Sequence, residues 1–156
     1  GSVRGAALDA DARGEAGRSV LGMKICLLAG TLVLPLAGEK ATLAWTHSVE
    51  KIPWEEDWRA TSGGLVIEAA RVRGSGAGME AGEGAHRVGD AWEWRPNLPP
   101  QARVVLARSG ATADWRICEA GACRPMEAML PAGVDRVTMT VCDDAGRLTD
   151  VGGTAR

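Results

Sequence analysis

The sequence predicts an all-β fold, an antiparallel sandwich or flattened barrel of roughly eight short strands. Three observations carry that expectation. The 156 residues include 21 glycines and 7 prolines, more than an average globular chain holds, which favours short elements separated by many turns. Apolar residues alternate with period two in several segments, the signature of half-buried strands. No segment offers a long apolar stripe at helical spacing with a cap at each end. The length suits one domain, and the expected organisation is a polar N-terminal tail over residues 1–22 followed by a single β-domain over residues 23–156.

In chain order, the tail is too poor in apolar residues to anchor a fold, and its Arg4, Arg13 and Arg18 balance Asp9, Asp11 and Glu15. Met23 opens the apolar run Ile25 to Ala37, which reads either as a signal peptide or as a β-hairpin. In the hairpin, Ile25–Leu28 and Leu32–Leu34 flank Ala29-Gly30-Thr31. The run is too short to span a membrane as a helix. From Ala41, Leu43, Trp45, His47 and Val49 fall on one face of a strand, with Ala44, Thr46, Ser48 and Glu50 on the other. Pro53 interrupts, and Trp54, Glu56 and Trp58 then share one side of the next strand. Leu65 to Val72, Ala91 to Arg95, Arg103 to Arg108, Ala113 to Cys118 and Val134 to Cys142 continue the series. The three prolines between Pro96 and Pro100 belong outside any central strand.

Composition narrows the function. Eighteen basic residues against twenty acidic ones give a net charge of −2 with neither sign clustered, so a nucleic-acid partner is not expected. Gly76-x-Gly78-x-x-Ala81 matches a dinucleotide fingerprint in letters, but Gly82-Glu83-Gly84 extends a loop where that motif requires a helix to begin. No cofactor is therefore expected. His47 and Ser48 are adjacent on a strand and face opposite sides, so they cannot meet as base and nucleophile, and no nucleophile elbow accompanies them. Glu50, Glu55, Glu56 and Asp57 lack the spacing of a calcium loop and read as a solvated acidic edge. Cys118 and Cys123 suit a tight hairpin that brings the two thiols together as a disulfide in an oxidising compartment, and the spacing of the cysteines argues against a metal site.

Several motifs occur together: Leu43-Ala-Trp-Thr-His-Ser-Val-Glu-Lys51, Pro53-Trp-Glu-Glu-Asp-Trp-Arg59 and Ala70-Arg-Val-Arg-Gly-Ser-Gly-Ala-Gly-Met79, then Trp94-Arg-Pro, Leu106–Gly110 and Asp114–Cys118. In this order they resemble the family known as domain of unknown function 1850, over roughly residues 23–142. The resemblance implies an N-terminal strand pair ahead of the Thr-His-Ser-Val motif, favouring the hairpin reading of Ile25 to Leu36. It also implies an accessory role beside TAXI-type TRAP solute transporters, with transporter subunits or a small organic solute as partner. By the same resemblance the protein is periplasmic, or cytoplasmic if no export signal lies upstream.

No catalytic residue carries over from such a family. The candidate binding residues are the motif positions Thr46, His47, Ser48, Glu50, Gly76, Gly78 and Met79, with the strand at Thr46 and the loop at Gly74 expected at one rim. A hydrolase using His47 with Glu50 or Glu56, with or without a metal, and a purely structural interaction module are the alternatives. The chain holds six Trp and no Phe or Tyr, so Trp45, Trp54, Trp58, Trp94 and Trp115, all within the motifs, are expected to carry much of the core.

Overall fold

The computed structural model describes residues 22–46, 52–74, 82–108 and 114–149. Among them are eleven strands, one 3-10 turn at Met126–Ala128 and no α-helix. The strands are β1 (Lys24–Ala29), β2 (Leu32–Pro35), β3 (Lys40–Thr46), β4 (Pro53–Thr61), β5 (Gly64–Arg73), β6 (His86–Val88), β7 (Ala91–Trp94), β8 (Arg103–Ala107), β9 (Arg116–Glu119), β10 (Ala122–Pro125) and β11 (Arg136–Cys142). Every pairing is antiparallel. They form a seven-stranded sheet in the order β10-β9-β3-β4-β5-β7-β6 and a four-stranded sheet in the order β2-β1-β11-β8.

The two sheets pack their apolar faces together. Ile25, Leu27 and Ala29 of β1, Val137, Met139 and Val141 of β11 and Leu106 of β8 face Ala41 and Leu43 of β3, Trp58 and Ala60 of β4, Leu65 and Ile67 of β5 and Ile117 of β9. Each set recurs at every second position, as two-sheet packing demands. The run from Ile25 is thus a hairpin built into the core: Leu27 pairs with Leu34 on one side and Met139 on the other, and both Leu27 and Met139 are fully buried. β6 exceeds the sequence expectation, and β10 was expected only as the return arm of the Cys118–Cys123 hairpin. Both are short and wholly exposed, so neither shows the alternation by which a strand is recognised.

The β4–β5 pairing is broken between Asp57 and Trp58, where Asp57 faces Ala69 but Trp58 faces Ile67, leaving Glu68 as the extra residue of a β-bulge. The bulge lets Leu65 and Ile67 before it and Ala70 and Val72 after it all turn inward. Gly64 opens β5 with φ +126°, and a Cβ there would sit 2.8 Å from the Gln101 carbonyl oxygen. That close approach permits paired hydrogen bonds between Leu65 and Gln101, of 2.7 and 2.8 Å, which carry the chain from the proline-rich segment into β8.

The acidic segment is corrected by this topology. Glu55 and Asp57 lie on β4, the fourth of seven strands, and not on an edge. The core role of the tryptophans is corrected too. Trp58, 4% exposed, is the buried indole, whereas Trp45 and Trp115 are half-buried and pack against the core from one end.

Candidate functional site

Register brings the motif-bearing strands to one end of the large sheet. Trp45 near the end of β3 faces Trp54 at the start of β4, Trp54 faces Val72 at the end of β5, and Ala44 faces Arg116 at the start of β9. At this end the indoles gather. Trp45 stacks on Trp54 with centroids 6.0 Å apart and 16° between planes, Trp45 meets Trp115 at 4.8 Å, and Trp54 meets Trp94 edge-on at 5.9 Å. Trp54 and Trp94 reach each other although β5 runs between their strands, because the intervening inward residues, Ala70 and Val72, are small. Gly82 lies so close to the Trp94 ring that a Cβ at this position would run into the indole.

The polar handles of these rings differ. Trp115 Nε1 donates to the Ala107 carbonyl at 2.9 Å and Trp58 Nε1 donates to Glu56 Oε1 at 3.0 Å. Trp54 Nε1 is buried and finds no acceptor among the described residues. Glu56 points inward beside these rings, and burial raises its carboxyl above the ordinary value, partly offset by the Trp58 N–H.

Of the candidate binding residues, Thr46 ends β3, exposed and paired with Pro53 at the rim. His47, Ser48, Glu50, Gly76, Gly78 and Met79 lie outside the described residues. Gly74, at φ +93°, closes β5 at the same end and donates its N–H to Asp90 O at 2.9 Å. Across the single intervening strand, the rows bearing Thr46 and Gly74 are about 10 Å apart.

The outer face of the same sheet carries an ion lattice. Arg71 Nε donates to Glu55 at 2.8 Å, Nη2 to Asp57 at 2.6 Å and Nη1 to Glu93 at 3.1 Å, while Arg73 joins Glu55 to Asp90. Thr42 Oγ1 adds a 2.7 Å bond to Asp57. Burial alone would raise the Glu55 and Asp57 carboxyls, but the guanidinium bonds, joined at Asp57 by the Thr42 hydroxyl, hold both below their ordinary values. Asp57 above all raises Arg71. Every terminal atom of the Arg71 fork is engaged, so the lattice holds four strands in register and leaves no charge on Arg71 to offer a ligand. The sequence held a signal for it: acids at 55 and 57 and arginines at 71 and 73 share the i, i+2 spacing of one sheet face. Only the strand register could pair them.

Cys118 and Cys123 face each other in the β9–β10 hairpin and are bonded, their Cα atoms 3.9 Å apart. Their turn, Ala120-Gly121, takes φ of 50° and 85°, the left-handed pair a two-residue hairpin uses. A second disulfide, Cys26–Cys142, which the sequence reading missed, joins β1 to β11 with Cα atoms 5.8 Å apart. Among the described residues no three His, Cys, Asp or Glu side chains are grouped to hold a metal ion. No helix of the described residues is long and apolar enough to cross a membrane.

No curated protein and no solved structure matches this chain. A family model described as domain of unknown function (DUF1850) matches residues 41–126, from β3 through the start of the 3-10 turn and over the whole indole rim. As that match covers more than half of the 156 residues, the chain belongs to the DUF1850 family.

Proposed function

We propose that the protein is a non-enzymatic binding domain accessory to a TAXI-type TRAP solute transporter, and that it engages a transporter component or a small organic solute at the indole rim. The observation that supports this most is the collection of Trp45, Trp54, Trp94 and Trp115 at one end of the sheet, beside Thr46 and with a buried indole N–H that lacks an acceptor among the described residues. Clustered large aromatic faces are what binding surfaces are rich in, since they bring contact area at low entropic cost. The rim falls inside the family match, whereas the β1–β2 hairpin and β11 lie outside it. Residues 23–156 act as one domain in this reading. Periplasmic residence is part of the proposal, supported by the pairing of all four cysteines as disulfides, which an oxidising compartment favours.

The test uses the indoles themselves, because with no Tyr or Phe the intrinsic fluorescence is that of tryptophan alone. A panel of organic acids is titrated against the full chain, and in parallel the chain is used to capture the purified transporter subunits. Binding is expected in at least one arm, with a saturable emission shift in the first or a stoichiometric complex in the second. It should weaken at least tenfold in Thr46→Ala or His47→Ala without loss of folded signal. A folded protein silent in both arms overturns the proposal. Hydrolysis of a model ester that disappears in His47→Ala would replace it with the enzyme reading.

A further inference from the structure

The two disulfides differ in the features that govern thiol–disulfide exchange. Cys26 and Cys142 are both 0% exposed. The chain beyond β11 turns back over them: Leu148 forms a bridge with Cys142, Thr149 N donates to Val141 O, and Gly146 comes within reach of Pro35, the strand partner of Cys26. An attacking thiolate must reach a sulfur directly, and here it would first have to lift that turn. Cys118 is half-buried and Cys123 is exposed, on a strand whose four residues are all exposed and which forms one border of the large sheet. Cys118 also lines an open cleft of about 230 Å³ between the hairpin turn and β3, β4 and β5.

The exposed bridge is also the one the fold can spare. It closes a separation of 5 residues, against 116 for the buried one, so it removes little freedom from the unfolded chain. β9 is held without it, through pairing with β3 and through Ile117, which is fully buried. The far end of β10 is held by Met126, also fully buried, whose N–H donates to Trp115 O at 2.9 Å. Breaking Cys118–Cys123 therefore leaves both sheets and the core in place.

We propose that Cys118–Cys123 is a thiol–disulfide exchange site whose reaction partner is a dithiol reductant, and that Cys26–Cys142 is its inert structural counterpart. One thiolate of the dithiol attacks Cys123 Sγ, forming a mixed disulfide as the Cys118–Cys123 bond breaks and Cys118 leaves as a thiolate that takes a proton from solvent. The second thiol of the reductant, as thiolate, then attacks its own partner sulfur in the mixed disulfide and releases Cys123. The hairpin is reduced by two electrons and the dithiol becomes a disulfide, and the same steps run backwards with an oxidised partner. This inference is independent of the binding role of the indole rim.

The test treats the native, oxidised full chain with graded dithiothreitol, quenches with N-ethylmaleimide and locates labelled cysteines by peptide mass spectrometry. Cys118 and Cys123 are expected to label at least tenfold faster than Cys26 and Cys142, with an unchanged β-sheet circular dichroism spectrum. In glutathione buffers of graded ratio, the hairpin bridge is expected to reach half-reduction while Cys26–Cys142 stays oxidised. The Cys118→Ser variant, left with one exposed thiol, is expected to take up one glutathione from oxidised glutathione at Cys123. Equal labelling of the two bridges, or opening of Cys118–Cys123 only when the circular dichroism signal is lost, overturns the proposal. Should Cys118→Ser fail to fold, the wild-type labelling rates and glutathione equilibrium decide it alone.

Discussion

Arg71 is the residue on which the outer face of the large sheet turns. It stands between carboxylates from β4 on one side and β7 on the other, and its side chain is 16% exposed. Removing it leaves Glu55, Asp57 and Glu93 facing one another, with Arg73 beside Glu55 and Lys40 near Asp57 at the margins. Arg71→Ala is expected to cost about 2–3 kcal/mol at pH 7, less than a fully buried pair because the carboxylates remain partly wet. Because Glu55 and Asp57 titrate below their ordinary values of 4.5 and 3.8 when folded, their stabilisation is present above those values and lost as pH falls through the folded ones. The gap in urea midpoint between wild type and variant should therefore narrow in acid. Glu56, one position away on the opposite face, carries the opposite sign. Its folded value is raised, so the protonated form fits best and stability is lost as pH rises from 4.5 through the folded value. Glu56→Gln keeps an oxygen to accept from Trp58 Nε1 and removes the ionisation. Its urea midpoint should exceed that of wild type at pH 7 and match it below pH 4.5. An unchanged difference across that range would mean that Glu56 ionises freely.

Individual elements show where sequence reasoning succeeds and where it cannot. β3, β4, β5 and β11 were legible because inward and outward residues alternate along them, as Thr42 does between Ala41 and Leu43, or Thr138 between Val137 and Met139. β6 was not, and β10 only through the cysteine hairpin, since an exposed strand of three or four residues has no face to alternate. The bulge at Glu68 was invisible for a different reason: it is a property of the β4–β5 pair, and neither strand alone declares it. At the candidate site the motif at Thr46 was readable, but its alignment with Trp54, Trp94 and Trp115 depends on register. Gly64 was readable only as a turn residue, although its role is steric. Gly64→Ala must adopt φ near +126° and place its Cβ against the Gln101 backbone, so it should cost about 2–3 kcal/mol and release the Leu65–Gln101 bridge. Gly63→Ala is the control, since the nearest neighbour of a Cβ added there is the Thr61 hydroxyl at 3.9 Å. Denaturant melts of both, with amide exchange at Leu65 and Gln101, separate strain at Gly64 from a general effect of adding a methyl group to this turn.

For the whole molecule, the question is what fastens the small sheet to itself and to its partner. β1 enters the structure early and β11 late, and they lie side by side in the centre of the four-stranded sheet, so most of the domain forms a loop between them. Closing such a loop in the unfolded chain costs entropy that local contacts cannot recover, so this pairing is expected to be slow to form. Cys26–Cys142 acts at that point. With 116 residues between its cysteines, it restricts the unfolded chain by about 5 kcal/mol on the chain-entropy account, against about 2 kcal/mol for the hairpin bridge. Sequence could pair Cys118 with Cys123 across a tight hairpin but held no local signal for Cys26 with Cys142, because only the β1–β11 register puts those two on the same face. The two double variants therefore separate cleanly. Cys118→Ser with Cys123→Ser should lose roughly 2 kcal/mol or less and stay folded at 37 °C. Cys26→Ser with Cys142→Ser should lose clearly more, since it also places two hydroxyls in a fully buried site. Its refolding after denaturant dilution should slow, while the hairpin variant refolds at the wild-type rate. If the two variants lose equal stability, the long-range bridge does not fasten the sandwich, and the β1–β11 ladder with Leu27, Met139 and Val141 must hold it unaided.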